Sequence, residues 1–332
     1  MKFLITGGSG YIGSRLVELL AEREDTERIV IADLRAPVAP RPKTAFVKMD
    51  VRDRAMRSLL EAEGPDALVH LAFVLNPIRD EHAMYDIDVN GTQNVLDAAA
   101  AAGVGHLLVA SSTTAYGAWP DNPVPLLEQH PVRGMPNYEY ARDKTEIDRM
   151  CQLWAAQYPE RVMTIVRPCI VFGPTVDNYI VRFWESAPFI PLIDGIDGEL
   201  QYVHEDDVVE ALSRLLLGRR GGIFNLTGDG TLKLSEGAQV LGLKTRRLRF
   251  STYRRIAATL WRLRMPRVEA PPGQLDFLRY PWLASNEKIK EELDWTPRHT
   301  SRETFEITFR ARGKLAGAPA EAPVRERTAV SR

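Results

Sequence analysis

Short hydrophobic runs alternate along the chain with segments in which apolar residues recur every three or four positions. The runs are rich in Val, Ile and Leu and predict strands near 2–6, 28–33, 45–49, 67–72, 106–111, 162–167 and 222–227. The periodic segments predict helices near 11–23, 53–62, 81–102, 138–157 and 205–217. Strands that alternate with helices in this way predict an α/β fold, a doubly wound parallel sheet covered by helices on both faces.

The regular alternation stops near residue 172, where Pro and Gly become frequent. This change predicts two domains. The first takes residues 1–171 and 205–230, and the second, smaller and discontinuous, takes residues 172–204 and 231–313. Residues 314–332 hold few large apolar groups, so burial cannot offset the entropy of ordering them, and we expect a flexible tail.

The composition is that of a globular protein and not of a nucleic-acid binder. The 332 residues include 45% hydrophobic and 26% charged residues, and 43 Lys plus Arg stand against 44 Asp plus Glu. A net charge of -1 gives no overall field to attract nucleic acid or anionic membrane. Cys151 and Cys169 are the two cysteines, which favours a reducing, cytoplasmic location. The six histidines lack metal-ligand spacing, so we expect no metal site.

A glycine-rich loop follows the first predicted strand, as TGGSGYIG at residues 6–13. Gly7 permits a tight turn, Gly10 lets the backbone approach a pyrophosphate, and Gly13 lets the next helix pack close to the strand. A position between a strand and a helix is the context that a dinucleotide-binding loop requires. We therefore expect cofactor contacts from Gly7, Gly10, Tyr11, Ile12 and Gly13.

The residue that ends the second predicted strand bears on the choice of cofactor. Asp33 can accept hydrogen bonds from ribose hydroxyls and repels a 2′-phosphate, which favours NAD over NADP. Arg35 could neutralise such a phosphate, so NADP stays open as the less favoured cofactor. Further contacts are expected from residues that follow the third and fourth strands: Asp50, Val51, Leu71 and Ala72.

Two residues with proton-transfer chemistry share one face of a predicted helix. Tyr140 and Lys144 are four positions apart, and a nearby ammonium lowers the pKa of a tyrosine phenol from its usual value of about 10. Residues 110–117 stand at the end of the fifth predicted strand, at the carboxyl edge of the sheet where ligands of such folds bind. This position favours a proton-transfer site that includes Tyr140 and Lys144.

This ordered set of motifs resembles the extended short-chain dehydrogenase/reductase family, of the NAD-dependent epimerase/dehydratase type to which UDP-galactose 4-epimerase belongs. The resemblance runs from residue 1 to about 312 and implies a Rossmann domain with a smaller, discontinuous α/β substrate domain. It implies that Ser112, Tyr140 and Lys144 are catalytic, and that the last two also contact NAD. A homodimer formed by the helices near 81–102 and 138–157 is implied as well.

The resemblance implies an NAD-dependent oxidoreductase or epimerase that transfers hydride at a secondary alcohol or ketone carbon. Tyr140 would act as acid and base, and Ser112 would orient the substrate oxygen. One alternative is an NDP-sugar 4-epimerase that holds NAD tightly. Another, of a different class, is a non-catalytic dinucleotide-binding module, which the intact catalytic residues disfavour.

Several positions depart from the patterns of enzymes that act on nucleotide sugars. Ile170 and Leu200 stand where the resemblance implies an asparagine and an arginine that hold the diphosphate, and no second arginine is found near Leu275. Apolar side chains supply no hydrogen-bond donor, which weakens the nucleotide-sugar interpretation. Thr113 and Thr114 stand where dehydratases carry an acid pair, so dehydration is not expected.

A basic segment at residues 244–267 contains many Lys and Arg residues and no acid. These side chains could hold an anionic substrate, because guanidinium groups suit phosphate. With the interleaved apolar residues, the segment could instead lie on an anionic membrane. The favoured interpretation is a solvated helix face whose arginine stems cover apolar surface.

Overall fold

The computed structural model describes residues 1–265 and 268–315. Its strands, in chain order, are β1 (Lys2–Thr6), β2 (Arg28–Asp33), β3 (Thr44–Lys48), β4 (Ala67–His70), β5 (His106–Ala110), β6 (Val162–Pro168), β7 (Ile170–Phe172), β8 (Ile190–Ile193), β9 (Glu199–Leu200), β10 (Tyr202–His204), β11 (Gly222–Leu226), β12 (Leu232–Lys233) and β13 (Thr245–Leu248).

The helices are α1 (Tyr11–Ala21), α2 (Met56–Glu63), α3 (Glu81–Tyr85), α4 (Gly91–Ala101), α5 (Glu139–Gln157), α6 (Tyr179–Ser186), α7 (Glu205–Leu217), α8 (Leu234–Val240), α9 (Phe250–Arg262), α10 (Glu287–Leu293) and α11 (Ser301–Ala311). A wide π-helical turn, Asp86–Asn90, joins α3 to α4, and short 3-10 helices span Thr113–Tyr116 and Pro272–Leu278.

Seven strands form one parallel sheet in the order β11-β6-β5-β4-β1-β2-β3. Thr6 at the end of β1 lies between Ala32 of β2 and His70 of β4, so the carboxyl ends of the three strands share one edge. The predicted α/β class and the parallel sheet are confirmed. The sheet strands lie within one to two residues of their predicted bounds at most ends, because strands buried on both faces read as continuous apolar runs.

Helices cover both faces of the sheet. Helices α1 and α7 pack on one face in a core that includes Leu16 and Leu212, and α2, α4 and α5 pack on the other in a core that includes Leu96 and Trp154. Strand residues such as Leu4 are fully buried between these layers. The edge that carries the carboxyl ends of the strands is therefore the part of the sheet left for a ligand.

A third core is built largely from the segments that come after β6, together with residues between β5 and β6 such as Tyr116 and Leu126. Phe172, Trp184, Tyr202 and Phe305 pack together there, around three two-stranded pairings: β7 with β10, β9 with β12 and β8 with β13. Helix α9 contributes no buried residue to this core. The two-domain division drawn from the sequence stays a prediction.

The chain end was expected to be flexible from residue 314 onward. The backbone N–H of Lys314 instead donates to the carbonyl of Phe309 at 2.8 Å, and Leu315 packs against the third core. The apolar Leu315 thus reaches a hydrophobic cluster, and the flexible tail stays a prediction. Residues 316–332 lie outside the described part of the chain.

Over residues 1–265 and 268–315, no helix combines the length and apolar character needed to cross a bilayer.

Candidate active site

The glycine loop turns sharply between β1 and α1. Gly7 has φ +70°, and a Cβ there would lie 2.7 Å from the backbone nitrogen of Ala72. A Cβ on Gly13 would lie 2.1 Å from the carbonyl oxygen of Gly7. Gly10 is the N-cap of α1, and no side chain caps this helix. The first backbone amides of a helix have no intrahelical partner. The loop is thus packed against backbone too closely for side chains at Gly7 and Gly13, and it leaves the first amides of α1 free. This cradle of backbone groups fits the pyrophosphate of a dinucleotide.

The carboxylate at the end of β2 faces this loop. Asp33 accepts a hydrogen bond from the backbone N–H of Ser9 at 3.0 Å and another from the N–H of Arg35 at 3.1 Å. These contacts hold the acid beside the cradle, where the ribose of an adenosine would lie. Arg35 itself is exposed and lines the cavity described below.

Of the predicted cofactor residues that follow the third and fourth strands, one lines the cavity and three do not. Asp50 forms an ion pair with Arg52 at 2.6 Å, and this guanidinium holds the pKa of the Asp50 carboxyl below its usual range. Val51 is buried and lies close to the start of α4. Leu71 lines the cavity, and Ala72 touches the glycine loop. Asp33, Asp50, Val51 and Ala72 are not among the residues that line the cavity.

Ser112 and Tyr140 come together at the carboxyl edge of the sheet. The hydroxyl of Ser112 receives the backbone N–H of Thr114 at 3.1 Å and the hydroxyl of Thr114 at 2.9 Å, which fixes its position after β5. Burial, with the nearby Tyr179 and Asp88, raises the pKa of Tyr140, and a hydrogen bond with Ser112 acts in the opposite direction. A substrate oxygen that approached Tyr140 would therefore meet both hydroxyls.

Lys144 lies one helical turn beyond Tyr140 and is buried. Its Nζ donates to the carbonyl of Ala110 at 2.8 Å, stands 3.1 Å from the centre of the Phe73 ring, and lies 5.9 Å from the centre of the Tyr140 ring. Burial lowers the pKa of Lys144, and the charge of Asp88 opposes that shift. Lys144 is thus held at the strand end, one helical turn from Tyr140.

Asp88 is a functional candidate that the sequence analysis missed. It lies in the π-helical turn between α3 and α4 and is fully buried. Its Oδ1 accepts the backbone N–H of Val74 at 2.8 Å, and its Oδ2 has no hydrogen-bond partner among the described residues. Burial raises its pKa, and the charge of Lys144 opposes the rise. The position of Asp88 depends on the π-helical turn. A search for apolar residues at the 3.6-residue period of an α-helix therefore does not reveal it.

One continuous cavity of about 720 Å³ joins the glycine loop to the third core. All three predicted catalytic residues line it, together with the five predicted residues of the glycine loop: Ser112, Tyr140, Lys144, Gly7, Gly10, Tyr11, Ile12 and Gly13. A dinucleotide held at the loop would thus share one space with the phenol, the ammonium and the serine hydroxyl.

Glu205 ties the glycine-loop helix to the segments after β6. Its carboxylate accepts hydrogen bonds from the hydroxyls of Tyr11 and Thr175, the latter at 2.9 Å, and lies 3.3 Å from the guanidinium of Arg15. Asp207, two residues on, accepts the backbone N–H of Arg298 at 3.1 Å. Glu205 therefore links Tyr11, which lines the cavity, to Thr175 in the segments after β6.

The basic side chains in the described part of the segment 244–267 point away from the cavity lining. None of its Lys or Arg side chains within residues 244–265 lines the cavity, and Arg267 lies outside the described residues. The apolar residues of α9 line the cavity instead. In the described part of the segment, the arrangement disfavours the use of these side chains to hold an anionic substrate.

The part of the chain that the structure describes contains no cluster of three or more His, Cys, Asp or Glu side chains suited to a metal ion.

Comparison with known proteins places this site in a family. The model of the NAD dependent epimerase/dehydratase family matches residues 3–227. An uncharacterized protein of Mycobacterium tuberculosis is 26% identical over 93% of this chain and 84% of its own length. UDP-glucose 4-epimerase of Streptococcus mutans is 26% identical over 90% of this chain and 92% of its own.

A solved structure is similar over most of the fold. The dTDP-glucose 4,6-dehydratase of Streptomyces venezuelae, with NAD bound, superposes with a TM-score of 0.72 at 24% identity, and covers 94% of this chain and 96% of its own. The chain belongs to the NAD dependent epimerase/dehydratase family. The predicted class, an NAD-dependent enzyme of this type, is confirmed by that membership.

Proposed function

We propose that the protein transfers hydride between NAD and the carbon of a secondary alcohol or ketone, with Tyr140 as the general acid and base. The observation that carries the proposal is the shared cavity, in which Tyr140, Ser112 and Lys144 lie with the glycine loop. A non-catalytic dinucleotide-binding module would have no chemical use for these three groups in one cavity.

The cofactor would be held by the cradle and by the acid that faces it. The proposed contacts are Gly7, Gly10, Tyr11, Ile12, Gly13, Asp33, Asp50, Val51, Leu71 and Ala72, with Tyr140 and Lys144 at the reactive end. When bound, NAD supplies the hydride acceptor for an alcohol, and NADH supplies the donor for a ketone. The negative charge of Asp33 favours a free ribose 2′-hydroxyl over a 2′-phosphate.

The protein's own residues would handle the proton and the substrate oxygen. In alcohol oxidation, the phenolate of Tyr140 takes the proton of the substrate hydroxyl, while the hydride leaves the carbon that bears this hydroxyl. In ketone reduction, the phenol returns that proton to the carbonyl oxygen. Ser112 donates a hydrogen bond to this oxygen and orients it, and the Lys144 ammonium stabilises the phenolate.

A second candidate is an NDP-sugar 4-epimerase, which the similarity to UDP-glucose 4-epimerase of Streptococcus mutans favours. The same three residues would then handle the proton while a carbinol is oxidised and while the resulting ketone is reduced from its other face. The cofactor would be regenerated in each cycle, so the distinguishing property is net cofactor turnover.

The experiment follows nicotinamide absorbance and substrate configuration in the same samples. Purified protein with added NAD is given a panel of secondary alcohols, and with NADH a panel of ketones, beside UDP-glucose. Net cofactor turnover supports hydride transfer to a released product, and inversion of UDP-glucose without net turnover supports the epimerase. Absence of both would contradict the proposal.

We also propose a homodimer formed by α3 and α4 with α5, and a cytoplasmic location. Leu153 on α5 is 70% exposed, which supports a partner on that face. Cys151 and Cys169 are both free and buried, in keeping with a reducing compartment. Light scattering of the wild type and of Leu153→Glu tests the dimer, because a charge there would favour monomers.

A further inference from the structure

The part of the cavity beyond Tyr140 has a wall of aliphatic and aromatic side chains. Four of them come from α9 at helical spacing, so one face of this helix covers the cavity. The others come from β7, α6, β9, α8 and the segment around the second 3-10 helix. The apolar wall residues include Ile170, Ile180, Phe183, Trp184, Leu200, Leu234, Tyr253, Ile256, Ala257, Leu260, Leu275, Phe277 and Trp282.

The charged groups in this part of the wall already neutralise one another. Arg182 forms ion pairs with Glu269 at 2.6 Å and with Asp177 at 2.5 Å, and it also donates to Asn76. Two carboxylates on one guanidinium leave no excess positive charge here. The other cations that line the described cavity are Arg35, beside the glycine loop, and the catalytic Lys144.

The remaining polar side chains of this wall are few and mostly paired. The hydroxyls of Tyr138 and Tyr179 lie 2.8 Å apart and bond each other, and Asn178 caps α6. The Oε1 of Gln274 is buried without a hydrogen-bond partner among the described residues. One acceptor in an otherwise apolar wall suits a ligand with a single further hydroxyl or N–H group.

A diphosphate would be poorly stabilised in such a place. Phosphate groups are bound by cations and by hydrogen-bond donors, and burial of an anion without them is costly. Transfer of a hydrocarbon group from water to this wall is favourable by contrast. The transfer free energy of each buried methylene corresponds to about a four-fold gain in affinity.

We propose that the substrate is an uncharged ketone or secondary alcohol carried on a hydrocarbon body, which the apolar wall buries while the reacting oxygen meets Tyr140 and Ser112. This inference rests on the proposed hydride transfer and specifies its substrate class. The apolar face of α9 forms the roof, and its arginines Arg254, Arg255 and Arg262 are exposed to solvent.

The test measures binding and turnover separately, on the full chain loaded with NADH. The probes are 2-butanone, 2-hexanone and 2-octanone, with UDP as the nucleotide diphosphate. Equilibrium dialysis gives the dissociation constants, and loss of NADH absorbance gives turnover. We expect affinity to rise by up to about four-fold for each added methylene, and UDP to bind weakly and not to displace 2-octanone.

A matched pair of variants locates the binding. Leu260→Asp places a charge in the wall, and Thr259→Asp places the same charge on the exposed side of the same helix, outside the cavity. We expect Leu260→Asp to weaken 2-octanone binding by ten-fold or more with NADH affinity unchanged, and Thr259→Asp to leave both unchanged. The wild-type ketone series remains decisive if Leu260→Asp does not fold.

The outcomes separate this inference from the proposed function. Length-dependent binding without NADH oxidation supports the apolar substrate and contradicts hydride transfer. Tight UDP binding that displaces 2-octanone overturns the apolar substrate and leaves hydride transfer standing. The apolar substrate is also overturned if the affinity does not change with ketone chain length, or if none of the three ketones binds.

Discussion

Asp88 and Lys144 are both buried, and the charge of each acts on the pKa of the other. Burial raises the pKa of Asp88 and lowers that of Lys144, and each charge opposes the effect of burial on the other. The Asp88 charge also raises the pKa of Tyr140. Protonation of the phenol is therefore linked to a carboxylate that sequence patterns do not single out.

Asp88→Asn should move the pH profile of alcohol oxidation. Loss of the carboxylate charge lowers the pKa of Tyr140, so the limb of kcat that rises as the phenolate forms should shift to lower pH. Asp86→Asn is the matched control, because Asp86 is a partly exposed acid of the same turn, paired with Arg52. Equal pH profiles for wild type and Asp88→Asn, measured with saturating NAD, would contradict the linkage.

Asp33→Gly should relax the choice of cofactor. Without the carboxylate that accepts the N–H of Ser9, a 2′-phosphate would meet no repulsion and would lie near Arg35. We expect the ratio of NAD to NADP affinity to fall by ten-fold or more. Calorimetric titration of both cofactors measures it, and an unchanged ratio would show that Asp33 does not face the ribose.

The sheet was predictable because its strands are buried on both faces and read as apolar runs between turn signals. Gly7, Gly10 and Gly13 were found from their place between β1 and α1, and Tyr140 and Lys144 from their shared helix face. The segments after β6 were harder. Pairings such as β8 with β13 join distant residues, so no local period reports them.

The sequence singles out some residues of the cavity wall but does not show that they line a cavity. Ile170 and Leu200 are apolar residues in expected phosphate positions, and no arginine is found near Leu275. The structure places all three residues on the cavity wall. Phe73 and Asp88 gave no signal, because their positions depend on the loop after β4 and on the π-helical turn. Those features depend on tertiary packing.

Arg167 should matter for stability and not for hydride transfer directly. It is buried and pairs with Asp148 at 2.7 Å, and it donates to the hydroxyl of Tyr116 at 2.7 Å. Arg167→Met leaves a buried carboxylate without its partner, at a cost of about 3–5 kcal/mol. Urea unfolding measures this loss.

Two controls accompany that variant. Arg57→Met removes an exposed pair with Glu61 and should change the free energy of unfolding by less than about 0.5 kcal/mol. The double variant Arg167→Met/Asp148→Leu should recover part of the loss, because no unpaired charge is left. A double variant no more stable than Arg167→Met would contradict this explanation.

His70 should make the protein less stable in acid. Its ring nitrogens contact the hydroxyls of Thr6 at 2.7 Å and Thr92 at 3.0 Å, and burial, with the charge of Lys144, lowers its pKa to about 3. Between that value and the ordinary pKa of about 6.5, the unfolded chain binds a proton that the folded protein does not. The free energy of unfolding should therefore fall as the pH falls through this window.

The variant His70→Gln separates the contribution of His70 from that of other acid-sensitive groups. One such group contributes a slope of about 1.4 kcal/mol per pH unit, and His70→Gln should lack this contribution. The measurement is the difference between the unfolding free energies of wild type and His70→Gln at several pH values from 3 to 7. A difference that stays constant over the window would rule out the proposed proton linkage.

The most direct test of the account compares Tyr140→Phe with Tyr85→Phe in rapid-mixing experiments on the same NAD-loaded protein. Tyr85 donates its hydroxyl to Glu146 at 2.7 Å and does not line the cavity, so its variant controls for loss of a phenol. We expect Tyr140→Phe to bind NAD within about two-fold of wild type and to slow hydride transfer by about 10²–10⁴-fold, while Tyr85→Phe stays near wild type. Hydride transfer at the wild-type rate in Tyr140→Phe would contradict the account.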